Sequence, residues 1–256
     1  MVRMDLPVNR FKRRLKSGEV QIGLWLALGD ASSAELCAAA DYDWLLIDGE
    51  HGPNDVRSIL AQLRAIAPYR ASPIVRAAAG SAVEIKQLLD IGAQTLLVPM
   101  VQTAEQAREL VAATRYAPEG IRGIATITRA ARWTRVADYL SRAHEEICLV
   151  AQIETAMGLE QLDAIAATPG VDALFIGPND LAASLGYLGQ PEHPDVTAAV
   201  EGAIARIRAA SKPVGIFTLD EAVAKRFLSL GCTFVSVGCD ATLLAASADG
   251  LRKRFA

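Results

Sequence analysis

Cysteine and histidine are scarce in this 256-residue chain, and each shortage removes a class of protein. The four cysteines, at positions 37, 148, 232 and 239, form no Cys-x-x-Cys pair, which argues against a zinc ribbon or a thioredoxin-like centre. Three of them neighbour apolar residues, the setting of buried free thiols in a reducing cytosol. The three histidines include no His-Glu-x-x-His pair. Neither sign of charge dominates: 26 Lys and Arg against 29 Asp and Glu leave a formal net charge of −3, which speaks against nucleic acid as the main partner. Long hydrophobic runs are missing too. The longest charge-free stretch, Ile91–Ala104, contains Gln94, Pro99 and Gln102 and is too short and polar to span a bilayer. No apolar core of signal-peptide length precedes the basic stretch Arg10–Lys16, so the expected location is the cytoplasm. Also absent are G-x-G-x-x-G, a P-loop and a G-x-S-x-G elbow.

What the chain does have is alternation. Apolar, β-branched runs predict strands near Val20–Leu26, Trp44–Asp48, Ile74–Arg76, Thr95–Pro99, Leu149–Ile153, Ala173–Ile176, Pro213–Phe217 and Phe234–Gly238, with Ala/Leu-rich helical patterns between them. A weak repeat, Leu88–Val98 against Phe227–Val237, reads in both copies as helix end, glycine and strand. Eight βα units in about 250 residues, with no linker, predict a single-domain (β/α)8 TIM barrel over residues 1–256. An open doubly wound sheet is the runner-up.

A barrel keeps its chemistry at the C-terminal ends of its strands. There the sequence places Asp48 and His51 after the second strand, Arg76 at the end of the third, Gln152 and Glu154 at the fifth, and Asn179 and Asp180 after the sixth. Alone, Glu154 or Asp180 would serve as a helix cap. As a pair at neighbouring strand ends they suit a hard divalent cation such as Mg²⁺ or Mn²⁺. His51, near the Asp48 carboxylate, is the candidate general base, and Arg76 a candidate to bind a carboxylate or steady an oxyanion. Trp25 is a candidate pocket wall. His144 and His193 fall in polar stretches, and the basic cluster Arg10–Lys16 reads as a solvated helix face.

The stretches Trp44-Leu-Leu-Ile-Asp48-Gly-Glu-His51-Gly-Pro-Asn-Asp, Ile85–Met100, Ala151-Gln-Ile-Glu154-Thr and Phe175-Ile-Gly-Pro-Asn-Asp180-Leu closely resemble the HpcH/HpaI family. These are metal-dependent class II pyruvate aldolases of the 4-hydroxy-2-oxoheptane-1,7-dioate and 2-dehydro-3-deoxyglucarate aldolase type, within the phosphoenolpyruvate/pyruvate barrel superfamily. The resemblance runs from about Gly18 to Leu244. It implies reversible cleavage of 4-hydroxy-2-oxo acids to pyruvate, or a close 2-oxo acid such as hydroxypyruvate, and an aldehyde. It further implies one divalent ion per subunit (Mg²⁺, Mn²⁺ or Co²⁺) on Glu154 and Asp180, with Gln152 lining the pocket. Arg76 then stabilises the enolate oxygen, and His51, oriented by Asp48, takes the hydroxyl proton. Asp90 reaches a neighbouring subunit's site in a homohexamer that exchanges its C-terminal helices, here about residues 242–255.

Two departures from the family pattern bear on the substrate pocket. The segment from Gly120 to Trp133 is one residue shorter than usual, and Asn179 stands where a small residue is common. Phe217, at the end of the seventh strand, narrows the aldehyde side. Two other readings compete. A phosphate-binding barrel isomerase or synthase would hold phosphate after strands seven and eight, where Asp220 and Asp240 would repel it. A non-catalytic carboxylate-binding barrel would have no need of the complete set His51, Asp48, Arg76, Glu154 and Asp180.

Overall fold

Eight parallel strands close on themselves in sequence order, β1 pairing with β8, in a computed structural model that describes residues 2–255. The strands are β1 (Gln21–Leu26), β2 (Trp44–Asp48), β3 (Ser72–Arg76), β4 (Thr95–Val98), β5 (Cys148–Ile153), β6 (Ala173–Ile176), β7 (Val214–Phe217) and β8 (Phe234–Cys239). All eight sequence expectations fall on them, and the closed order replaces the open-sheet alternative. The strand β3 begins two residues earlier than expected because Pro73, which reads as a breaker, lies in register opposite Leu45.

Residues alternate between two cores. Along β2, Leu45 and Ile47 join the core under the helices, while Trp44 and Leu46 join the barrel interior, as the two-residue period of a strand requires. The interior is layered by size. A Cβ on Gly23 would lie 2.1 Å from the Trp44 ring, and one on Gly215 2.2 Å from Phe234, so glycine is what admits those two large rings. The short helix Arg10–Lys16 seals the N-terminal end of the barrel. Its Phe11 meets Phe234 edge-on at 5.4 Å and Trp44 at 6.3 Å. Arg10, Arg13 and Lys16 are exposed and Arg14 half-buried, as expected of a solvated basic face; Lys12 departs from it, buried and 3.3 Å from Asp172, and Phe11 and Leu15 are buried beside it.

All four cysteines are buried and unpaired. Among the described residues no helix is long and apolar enough to cross a membrane.

Candidate active site

The polar residues of the uppermost inward layer converge because their strands end at one level. Asp48 and Arg76 are direct partners in the β2–β3 register, and both are almost fully buried. Arg76 donates through Nε to Asp48 Oδ1 at 2.8 Å and through Nη2 to Oδ2 at 2.7 Å, the two-pronged geometry for which a guanidinium is shaped. The indole N–H of Trp25 donates to the same carboxylate at 3.1 Å, and the Arg76 guanidinium lies 4.9 Å from the Trp25 ring centre. Burial opposes a charge on Asp48, but the bonded guanidinium and the indole N–H outweigh it and hold the carboxyl below its ordinary range.

Asp48 meets His51 through the backbone: its Oδ1 accepts the N–H groups of Glu50 (3.0 Å) and His51 (3.3 Å), while the carboxylate as a whole serves Arg76. The acid next to the His51 ring is Glu50, with Oε2 3.8 Å from Nε2. The same oxygen lies 2.7 Å from Arg76 Nη1. Burial pushes the Glu50 carboxyl up, against the pull of Arg76 and His51. The His51 side chain itself is 69% exposed at the barrel mouth.

Across the mouth stands a carboxylate of a different kind. Glu154, just past β5, is 2% exposed and accepts the Met100 N–H at 2.7 Å and Gln152 Nε2 at 2.5 Å. Met100 presents that N–H from a left-handed backbone, φ 57°, a conformation that costs energy for a side chain of its size. The helix that follows is capped by Thr155, not by Glu154. Among the described residues no Lys or Arg side chain pairs with the Glu154 carboxylate. Burial, with Asp180 and Glu50 adding like charge, pushes its pKa up to about 7 despite the two hydrogen bonds. Beside it, the buried Gln152 Oε1 has no hydrogen-bond partner. A Cβ on Gly177 would come within 2.5 Å of Glu154 Oε2, so glycine keeps β6 clear of this group. Asn179 and Asp180 form the exposed first turn of the helix Pro178–Ser184.

A buried carboxylate with no basic side chain against it among the described residues, an orphaned amide oxygen and an exposed aspartate in the helix after the next strand form an oxygen-rich donor set that fits a hard divalent cation. Among the described residues no group of three or more His, Cys, Asp and Glu side chains is placed to hold a metal; Glu154 and Asp180 are two. Trp25 and Phe217 wall the same end of the barrel, 5.1 Å apart between ring centres.

Other candidates lie elsewhere. Asp90 ends the helix Ala82–Asp90, which returns to the N-terminal side of the barrel, and binds the fully buried Arg122 at 2.8 Å; within one chain it does not join the site. His193 caps the helix Pro194–Ala209, and His144 is exposed in a short turn. Asp220 caps the helix Glu221–Ser229, and Asp240 accepts the N–H groups of Ala27 and Leu28. Both loops where barrels hold phosphate thus carry carboxylates committed to the scaffold. Sequence reasoning missed Glu50 and the Met100 N–H. Glu50 stood in the Asp48–His51 loop, but a backbone donor leaves no trace in residue type.

Comparison with known proteins gives consistent relatives. The family model HpcH/HpaI aldolase/citrate lyase matches residues 21–247. A curated hydroxypyruvate/pyruvate aldolase of Pseudomonas aeruginosa is 58% identical over 253 residues, covering 98% of this chain and 94% of the relative. A 4-hydroxy-2-oxo-heptane-1,7-dioate aldolase of Salmonella paratyphi B is 55% identical over 248 residues, 96% and 94% of the two chains. The crystal structure of an HpcH/HpaI aldolase/citrate lyase family protein from Burkholderia cenocepacia superposes with a TM-score of 0.93 at 42% identity, covering 97% of this chain and all of that one.

Proposed function

The chain belongs to the HpcH/HpaI aldolase/citrate lyase family and is a carbon–carbon lyase, and we propose that it cleaves 4-hydroxy-2-oxo acids reversibly to pyruvate or hydroxypyruvate and an aldehyde. The observation that carries this reading is the pairing of a buried, forked Arg76 with an uncompensated Glu154 across one barrel mouth. Glu154 and Asp180 would hold a divalent ion, which would supply positive charge to steady the enolate of the 2-oxo acid.

The protein's own groups do the rest. Asp48 uses two of Arg76's five N–H donors. Nη1 also faces Glu50 Oε2 at 2.7 Å, and the N–H groups that neither carboxylate takes remain to stabilise negative charge growing on the keto oxygen as the C3–C4 bond breaks, without reorganisation at that moment. His51 takes the 4-hydroxyl proton, the electron pair of the C–O⁻ becomes the aldehyde carbonyl, and the C3–C4 pair becomes the enolate. C3 of the enolate then takes a proton from solvent to give the free 2-oxo acid, and the His51 imidazolium returns its proton to solvent. Trp25, 7% exposed, keeps water from one face of the guanidinium, which strengthens its electrostatic effect. Asn179 and Phe217 border the substrate.

The test is pyruvate release from 4-hydroxy-2-oxo acids of differing chain length, read by a coupled dehydrogenase. Mg²⁺- or Mn²⁺-dependent release is expected; no release from any of them with the ion present would contradict the reading.

We also propose a homohexamer in which Asp90 approaches a neighbour's site and the helix Asp240–Lys253 packs on a partner. That helix buries only Asp240 in its own chain and leaves Leu243, Leu244, Leu251 and the following Phe255 exposed, an apolar surface that association would cover. The mass in solution is expected to be six chains, falling when Leu244→Glu puts a charge on that face. A monomeric wild type would contradict this.

A further inference from the structure

The loop between β2 and the helix Val56–Ile66 holds a carboxylate that the proposed reaction has not yet used. Glu50 is 18% exposed in its side chain, and its Oε2 is buried with no hydrogen-bond partner. That one atom lies 2.7 Å from Arg76 Nη1 and 3.8 Å from His51 Nε2. Asp48 is already committed. It is bound by two guanidinium nitrogens, an indole N–H and two backbone N–H groups. The Glu50 oxygen is compensated on one side by the Arg76 guanidinium, and on the other it faces a ring that must become a cation when it takes a proton.

We propose that Glu50 is the positioning residue of the proposed aldolase reaction, its Oε2 holding the His51 ring beside the Arg76 guanidinium. The inference rests on His51 being the base that takes the hydroxyl proton. Glu50 then does two things. It restrains an otherwise exposed ring at the barrel mouth, and it compensates the imidazolium formed as the C3–C4 bond breaks. Arg76 keeps its place without Glu50, because Asp48 grips Nε and Nη2. The effect of losing Glu50 should therefore fall on His51.

The experiment is a double-mutant cycle on the Mg²⁺-loaded full chain, comparing wild type, Glu50→Gln, His51→Ala and the double variant. Cleavage kcat and KM are read together with exchange of the pyruvate methyl protons in D₂O, which needs no hydroxyl proton removed. Glu50→Gln is expected to lower kcat about tenfold or more with little change in KM, and to lower cleavage at least about fivefold more than exchange. In the His51→Ala background the same substitution should cost less than about twofold. Glu50→Asp, which keeps the charge, should recover most of the loss. An undiminished effect without His51, an equal loss of exchange, or a tenfold greater Mg²⁺ requirement would assign Glu50 to Arg76 or to the cation and overturn the proposal. Wild type that exchanges pyruvate protons but cleaves no hydroxy acid would overturn the functional reading itself, and is told apart by needing no variant.

Discussion

Replacing Glu154 with Gln is expected to lower divalent-ion-dependent cleavage by about 10²–10³-fold while making the ion-free protein more stable near neutral pH. The two effects share a cause. Glu154 is buried near the like charges of Asp180 and Glu50, and its pKa is pushed up from 4.5 to about 7. Below 4.5 the carboxyl is neutral whether the chain is folded or not. Between 4.5 and 7 the unfolded chain loses that proton while the folded one keeps it, so stability falls as pH rises, at a limit of about 1.4 kcal/mol per unit. Above 7 the loss is complete. The amide of Gln has the same shape and no charge, and it removes this slope. Melting of the EDTA-treated proteins at about pH 5 and about pH 7.5 checks it: the advantage of Glu154→Gln should grow at the higher pH. A divalent ion should then raise the melting temperature of wild type and not of the variant, since it favours the folded state only where it binds. Parallel pH and ion responses in both proteins would contradict the assignment of Glu154.

Arg76→Lys is expected to cost about 10²–10³-fold in cleavage with only a modest loss of stability. Lysine keeps a positive charge near Asp48, so the buried carboxylate is not left alone; Arg76→Ala would strand it and cost about 3–5 kcal/mol in folding. What lysine cannot do is engage both Asp48 oxygens in one plane and still direct further N–H groups at the keto oxygen. Both pyruvate proton exchange and cleavage should fall together, because both pass through charge on that oxygen. Cleavage near the wild-type rate in Arg76→Lys would show that a point charge suffices and that the forked geometry at 2.7–2.8 Å is only structural.

The barrel was legible in the sequence because its strands are short apolar runs set off by helical patterns, and each side-chain period survives in the residue types. The site was legible as far as strand ends are. Asp48, Arg76, Gln152 and Glu154 all follow from knowing where β2, β3 and β5 stop. Partnership was harder. His51 is three residues from Asp48, yet the register puts Arg76, 28 residues away, directly beside it. Sequence distance pointed to His51, whose backbone N–H Asp48 accepts, and strand pairing added the Arg76 side chain. The plug helix was read by half: its basic face is largely exposed, but five basic residues in seven drew attention from Phe11 and Leu15, whose four-residue spacing puts them on one face. Asp90 shows the limit of a single chain, since its partner within the chain, Arg122, lies on the N-terminal side of the barrel.

The most direct measurement is exchange of the pyruvate methyl protons in D₂O, followed by NMR with Mg²⁺ present and again after chelation. Enolate formation at Arg76 with a divalent ion on Glu154 and Asp180 predicts exchange well above the protein-free rate with Mg²⁺, lost on chelation and restored by adding the ion back. Bound pyruvate whose methyl protons do not exchange, or exchange that is indifferent to chelation, would contradict it.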